Sequence, residues 1–179
     1  MVNKIGLVSL SLCALFSCQA TSNSTVDKQA IDEKVKSMSK CEQVKALVRE
    51  HKNGFEKIRK KKTSTKLANI WTARYHLVGE GCQVINWKGT NSSYMCSVIS
   101  PGEEVALERY QNAKQQIQSC LGESWVLQER ERHGKKGSVA IYSNKDTDTV
   151  VTTQAFETNG IFNDEWTNYI FVGDPKRIK

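Results

Sequence analysis

The chain has only two prolines in 179 residues, no pair of histidines at metal-ligand spacing, and no apolar run long enough to cross a bilayer. Two prolines exclude a proline-rich linker protein. The longest apolar stretch, Ile5 to Phe16, is broken by Ser9 and Ser11 and falls well short of the roughly 20 residues a membrane helix needs. Catalytic signatures are missing too: there is no G-x-S-x-G, no H-E-x-x-H and no phosphate-cradling glycine loop. What is present, 39% hydrophobic and 25% charged residues, is the balance of a soluble globular domain with its own core.

The first residues carry one positive charge, Lys4, ahead of the apolar run, and the run ends in small residues. That pattern is a secretory leader rather than an anchor. Leu15-Phe16-Ser17-Cys18 at its end resembles the bacterial lipobox, with Phe16 a less usual occupant of the second position. The resemblance covers the leader alone and implies membership of the bacterial lipoproteins. Residues 1–17 would be removed, and Cys18 would become a lipidated N-terminus holding the protein to a membrane. Gln19, where inner-membrane lipoproteins of this type tend to have Asp, implies an outer-membrane lipoprotein facing the periplasm.

Residues 18–38 are rich in Ser, Thr, Asn, Lys and Asp and read as a flexible tether, with a helical lead-in possible from Ile31 to Met38. Residues 39–175 read as a single domain, and residues 176–179 as a tail. Of the six cysteines, Cys13 leaves with the leader and Cys18 takes lipid. Cys41, Cys82, Cys96 and Cys120 remain, an even number in an exported domain and hence two expected disulfides.

Secondary structure selects among the three possible pairings. Ser39-Lys40-Cys41-Glu42 is a capping box, and Val44, Leu47, Val48, Phe55 and Ile58 follow at helical spacing, with His51 on the same stripe. A helix is predicted from Ser39 to about Lys60. A second is predicted from Ser100-Pro101-Gly102-Glu103, with Pro101 in the first helical position, to Gly122, burying Ala106, Tyr110, Ala113, Ile117 and Leu121. Between them, runs 81–87 and 93–99 flank the turn-forming 88–91 and read as a hairpin. If the turn centres on Gly89, paired positions have numbers adding up to 178, so Cys82 faces Cys96. Cys41 then pairs with Cys120, joining the start of one helix to the end of the other. A metal site is disfavoured, because no C-x-x-C or neighbouring histidine supports it.

Runs 124–132, 137–143, 149–158 and 165–173 have strand character, and 71–78 is a weaker candidate. The expectation is an α+β domain: two amphipathic helices packed on an antiparallel sheet, in the order α-β-β-α-β-β-β-β, braced by two disulfides. Each half, a helix followed by Trp71 or Trp125 and then strands, hints at duplication.

Charge is concentrated. The chain carries +7 formally, and residues 45–66 alone hold nine Lys and Arg against Glu50 and Glu56. Read plainly, this is a solvated helix face ending in Lys60-Lys61-Lys62, where the helix dipole favours cations. Read functionally, Arg59, Lys60, Lys61, Lys62 and Lys66 form a basic partner surface facing lipid head groups, an anionic envelope polymer or an acidic protein. Nucleic acid is excluded by the address and by the lack of a binding motif or aromatic platform.

No catalytic, cofactor or metal residue is assigned. His51 reads as a core residue, His76 as part of a possible strand and His133 as part of a turn. The four tryptophans read as core by default, and Trp87 with Lys88 at the hairpin tip is a second candidate partner surface. The leading expectation is a non-enzymatic, lipid-anchored envelope protein that binds a protein partner, as an assembly accessory or as an inhibitor or immunity factor. The alternative is an envelope enzyme or ligand carrier with a cleft between helices and sheet.

Overall fold

The computed structural model describes residues 23–87, 91–159 and 164–178. Three helices, α1 (Asn23–Ser37), α2 (Lys40–His51) and α3 (Glu103–Leu121), accompany eight strands. These are β1 (Arg59–Ser64), β2 (Ala68–Ala73), β3 (Gln83–Trp87), β4 (Ser92–Ser100), β5 (Val126–Glu131), β6 (Gly137–Ser143), β7 (Val150–Asn159) and β8 (Asp164–Gly173). The strands form one antiparallel sheet in the order β1-β2-β3-β4-β8-β7-β6-β5, with α2 and α3 packed against it. The α+β class is as predicted. Each half is a helix followed by a four-stranded meander, and the meanders join at their last strands, β4 and β8. The resemblance between the halves is therefore one of architecture. The tryptophans do not mark it, since Trp71 lies within the second strand of its half and Trp125 precedes the first strand of the other.

Ser39 caps α2 as expected. Its hydroxyl accepts from the Glu42 amide at 3.2 Å, and the Glu42 carboxylate accepts from the Ser39 amide at 2.7 Å. The predicted extension to Lys60 is wrong, because α2 stops at His51. Gly54 and Phe55 both take left-handed conformations, at φ 63° and 64°, and turn the chain. A left-handed phenylalanine costs about 1–2 kcal/mol. Complete burial of its ring beside His51, at 5.6 Å between centroids, offsets that cost. Phe55 thus reaches the core from a tight turn, and Ile58 from the single 3-10 turn Glu56–Ile58 that follows, rather than from α2. Lys60, Lys61 and Lys62 consequently lie on the edge strand β1 and not at a helix end. The strand sought at 71–78 occupies Ala68–Ala73. With β1 and α1 added, the element order is α-α-β-β-β-β-α-β-β-β-β, correcting α-β-β-α-β-β-β-β.

At the second helix, the Ser100 hydroxyl donates to Asn168 Oδ1 at 2.6 Å instead of capping, and Pro101 precedes α3 rather than opening it. The predicted stop holds: Gly122 ends α3 at φ 81°.

Both disulfides form as predicted. Gln83↔Met95, Val84↔Tyr94 and Ile85↔Ser93 keep the register centred on residue 89, and Cys82 and Cys96 lie 4.0 Å apart at Cα. Cys41 and Cys120 join the start of α2 to the end of α3, 4.9 Å apart at Cα. Leu47, Tyr94, Tyr110, Tyr142 and Val151 fill the layer between helices and sheet. Helix α1 lies within the segment read as a tether and is docked on the domain: Asp32 bonds Arg74 and pairs with Lys60 at 3.6 Å, while Val35 and Met38 pack on the core. The Arg74 hydrogen bond holds the Asp32 carboxyl below its ordinary value.

Candidate functional site

Strand residues alternate between two faces, and only one face of this sheet is covered by α2 and α3. Tyr94, Cys96, Ile170, Val172, Val151 and Tyr142 point toward the helices and are buried. The residues between them, Met95 on β4, Tyr169 and Phe171 on β8, Gln154 and Phe156 on β7, point the other way. They line a cavity of about 380 Å³ on the open face, completed by Trp87 and Ser93 and by Arg132, Arg177 and Ile178 from outside the strands.

Several of these side chains are positioned by local features. Arg132 leaves β5 at the His133–Lys136 turn, where Gly134 is left-handed at φ 71°. Its amide donates to the Gly137 carbonyl at 2.9 Å. Gly137 itself, at φ 146°, faces Phe156 so closely that an added Cβ would lie 2.2 Å from the Ala155 carbonyl oxygen. This close approach brings the Arg132 guanidinium over the Phe156 ring, 3.7 Å from its centroid, and into a hydrogen bond with Gln154 Oε1. Burial lowers the guanidinium pKa and pushes the Tyr169 phenol up to about 12. On the neighbouring strand the Phe171 ring folds back over Gly173, where a Cβ would lie 2.7 Å from Cζ. Asp174 then caps a short turn, accepting from the Lys176 amide at 2.8 Å, and the turn delivers Arg177 and Ile178 to the rim.

Tyrosine, tryptophan, phenylalanine and arginine are the residues that dominate protein–protein contacts. Trp87 is 38% exposed, and Ile99 and Val126, 62% and 67% exposed, fall on the same face by register. Trp87 therefore departs from the core role expected of the tryptophans, whereas Trp125 and Trp166 are buried. Sequence reasoning missed the rest of the cavity. Its one readable trace is β8, where Trp166, Ile170 and Val172 face one way and Tyr169 and Phe171 the other, so both faces carry large apolar groups.

The predicted basic surface is divided. Arg59 is half-buried over the Trp71 ring at 4.0 Å, donating to the Gly54 carbonyl at 2.6 Å and to Ser92 Oγ at 3.1 Å. Lys60 is paired with Asp32, and Lys62 stands over Trp71 at 5.5 Å. Lys61 and Lys66 are exposed. Lysines on an edge strand discourage pairing with another sheet, so β1 has a structural reason for its charge. Lys88 and Cys18 lie outside the described residues.

The histidines do not converge. His51 is buried, with Nδ1 2.7 Å from Thr149 Oγ1, and burial lowers its pKa against the opposing pull of Asp174 and Asp148. His76 borders a hollow of about 270 Å³ beside Asp32 and Arg74, with Nδ1 3.5 Å from Glu80. His133 lies in an exposed turn. A second cavity, about 470 Å³, opens between α2, α3 and residues 77–79 and is mainly apolar, lined by Val44, Leu77, Val98 and Ile117 among others. Among the described residues no group of His, Cys, Asp and Glu could hold a metal ion, and no helix is long and apolar enough to cross a membrane. The two disulfides fit an oxidising compartment outside the cytosol. No family model, curated protein or solved structure matches the chain, so function is read from its own residues.

Proposed function

We propose that this chain is a lipid-anchored envelope protein, held to the outer membrane through Cys18, that binds a protein partner on the open face of its sheet. It acts as an assembly accessory or as an inhibitor or immunity factor, without catalysis of its own. The observation that carries the reading is the open-face cavity, where Trp87, Phe156, Tyr169 and Phe171 are gathered with two arginines on a rigid eight-stranded sheet. Anchors of this kind are pre-ordered, so binding loses little conformational entropy. Two disulfides and the docked α2 and α3 hold the platform from behind.

The test is capture from envelope extracts with the oxidised full chain. Wild type is compared with Trp87→Ala/Phe156→Ala and with Lys60→Glu/Lys61→Glu/Lys62→Glu. One protein, kept by wild type and by the edge variant but lost by the cavity variant, then bound one-to-one after purification, supports the reading. Loss with the edge variant alone would move the contact to β1. Retention only on peptidoglycan or anionic lipid, abolished by salt, would overturn protein binding.

The cavity between α2 and α3 favours a second reading, a carrier of a small apolar ligand. Saturable displacement of a polarity-sensitive dye by a fatty acid, lost in Ile117→Trp, would support it. Dye binding that no fatty acid displaces would count against it.

A further inference from the structure

The cavity on the open face is chemically one-sided. Among the described residues its lining includes Arg132 and Arg177 and no carboxylate. Arg132 is half-buried, and its partners in the fold are the neutral Gln154 amide oxygen and the Phe156 ring. Lys135 adds a third cation 5.8 Å from the same ring. Elsewhere in the fold Arg74 and Lys60 are met by Asp32, Lys114 by Glu129 and Lys136 by Glu103, whereas Arg59 is held, like Arg132, by neutral oxygens and an aromatic ring, but away from any cavity lined by a second arginine. A guanidinium partly withdrawn from water is normally satisfied by an anion, and the planar fork prefers a carboxylate taken by two parallel hydrogen bonds. Here the fork is held in place by Gln154 and Phe156 beside a hollow large enough for one or two side chains. Resting on the proposed partner-binding role, we infer that the open face accepts an acidic loop of the partner protein, whose Asp or Glu carboxylate pairs with Arg132 while a neighbouring side chain fills the cavity against Tyr169 and Trp87.

The acid comes from the partner because none of the described residues lining the cavity carries a carboxylate. A flat acidic surface would meet the exposed lysines of β1 equally well, but only a projecting loop can reach a guanidinium lying in a hollow. Charge complementarity of this kind sets specificity and association rate more than total affinity.

A library of disulfide-constrained heptapeptide loops, displayed on phage and selected on the oxidised full chain, tests the inference. Its best loop is then synthesised with each acidic residue as Asp or Glu and as the matching amide. The expected result is selection of loops containing Asp or Glu. Affinity should fall at least tenfold in the amide peptide and in Arg132→Gln, with partial recovery in Arg132→Lys and progressive weakening as salt rises. Three outcomes would overturn it. Selected loops without acids that still lose binding in Trp87→Ala/Phe156→Ala would show an aromatic-only contact, leaving the partner-binding reading in place. Competition by inorganic phosphate at constant ionic strength would make Arg132 a small-anion site. Loops indifferent both to Arg132→Gln and to Trp87→Ala/Phe156→Ala would remove the open face from binding altogether, and the partner-binding reading with it. Thermal unfolding of every variant separates lost binding from lost fold.

Discussion

The two faces of the sheet are made from the same strands, residue by alternate residue, yet they are finished differently. On the covered face, two buried tyrosines are matched within the fold. The Tyr110 hydroxyl donates to Glu129 at 2.6 Å, Lys114 donates to both oxygens of the same carboxylate, and the Tyr142 hydroxyl donates to the Lys114 carbonyl at 2.7 Å. The Tyr110 bond holds the Glu129 carboxyl low, while burial raises the Tyr110 phenol. On the open face, large rings are partly withdrawn from water with no helix or sheet among the described residues lying over them, and Arg132 is held by neutral partners. A folding requirement explains this network on the first face. It does not explain the second, because a solvent-facing antiparallel sheet is served well enough by threonine and lysine.

If the faces divide labour in this way, mutations on them should separate stability from binding. The largest effect is expected behind the covered face, where Cys41–Cys120 closes a loop of 79 residues. Replacing both cysteines by serine should cost about 4.5 kcal/mol on chain-entropy grounds, against about 3 kcal/mol for Cys82 and Cys96, whose loop is 14 residues. Urea midpoints of the two double variants compare them directly, and the reverse order would place most of the bracing in the hairpin.

Leu47→Ala comes next, at about 3 kcal/mol, since Leu47 is fully buried between α2 and the sheet. Trp87→Ala on the open face should change stability by less than about 1 kcal/mol and should weaken partner binding at least tenfold. A chemical denaturation curve and a binding isotherm for each variant decide the matter. Equal losses of stability would mean that the open face is core after all.

His51 gives the comparison a pH axis. Burial lowers its pKa in the fold, so the unfolded chain takes up the proton first, near the ordinary value of about 6.5. Its contribution to stability is therefore complete above about pH 6.5 and is lost as pH falls below that. Asp32, Glu42 and Glu129, all held low by partners, lose theirs only as pH drops through the carboxylate range. Midpoints measured from pH 7.5 to 5 should decline in wild type and stay flat in His51→Gln. A decline persisting in His51→Gln would assign the titration to another group.

How much of this was legible in the sequence follows the same division. The covered face was readable because its signals are local and periodic. Ser39 and Glu42 announce a cap, β6 lies at the predicted 137–143, and a turn centred on Gly89 gave a register that placed Cys82 on Cys96. Periodicity also misled, since Phe55 and Ile58 continued the spacing of Val44 and Leu47 through a reversal that Asn53-Gly54 should have marked. The open-face site was illegible for a physical reason. Its residues come from β3, β4, β7, β8, the β5–β6 turn and the C-terminal turn, and no spacing along the chain brings Trp87, Arg132, Phe156, Tyr169 and Arg177 together. The basic run, by contrast, is contiguous in the chain and lies on β1.

That run supplies the smallest and most discriminating prediction. The sheet has two free edges, β1 reading Arg-Lys-Lys-Lys-Thr-Ser and β5 reading Val-Leu-Gln-Glu-Arg-Glu, and both are charged. Unpaired backbone donors and acceptors on an edge invite another strand, and charge spaced along it makes that pairing unfavourable. Lys61→Val/Lys62→Val should leave the unfolding midpoint within about 0.5 kcal/mol of wild type, since both side chains are largely solvated. The same variant should self-associate in a concentration-dependent way that light scattering or sedimentation detects, while partner binding on the open face persists. A variant that stays monomeric and loses its partner would reverse the assignment, making β1 the interface and the aromatic hollow incidental.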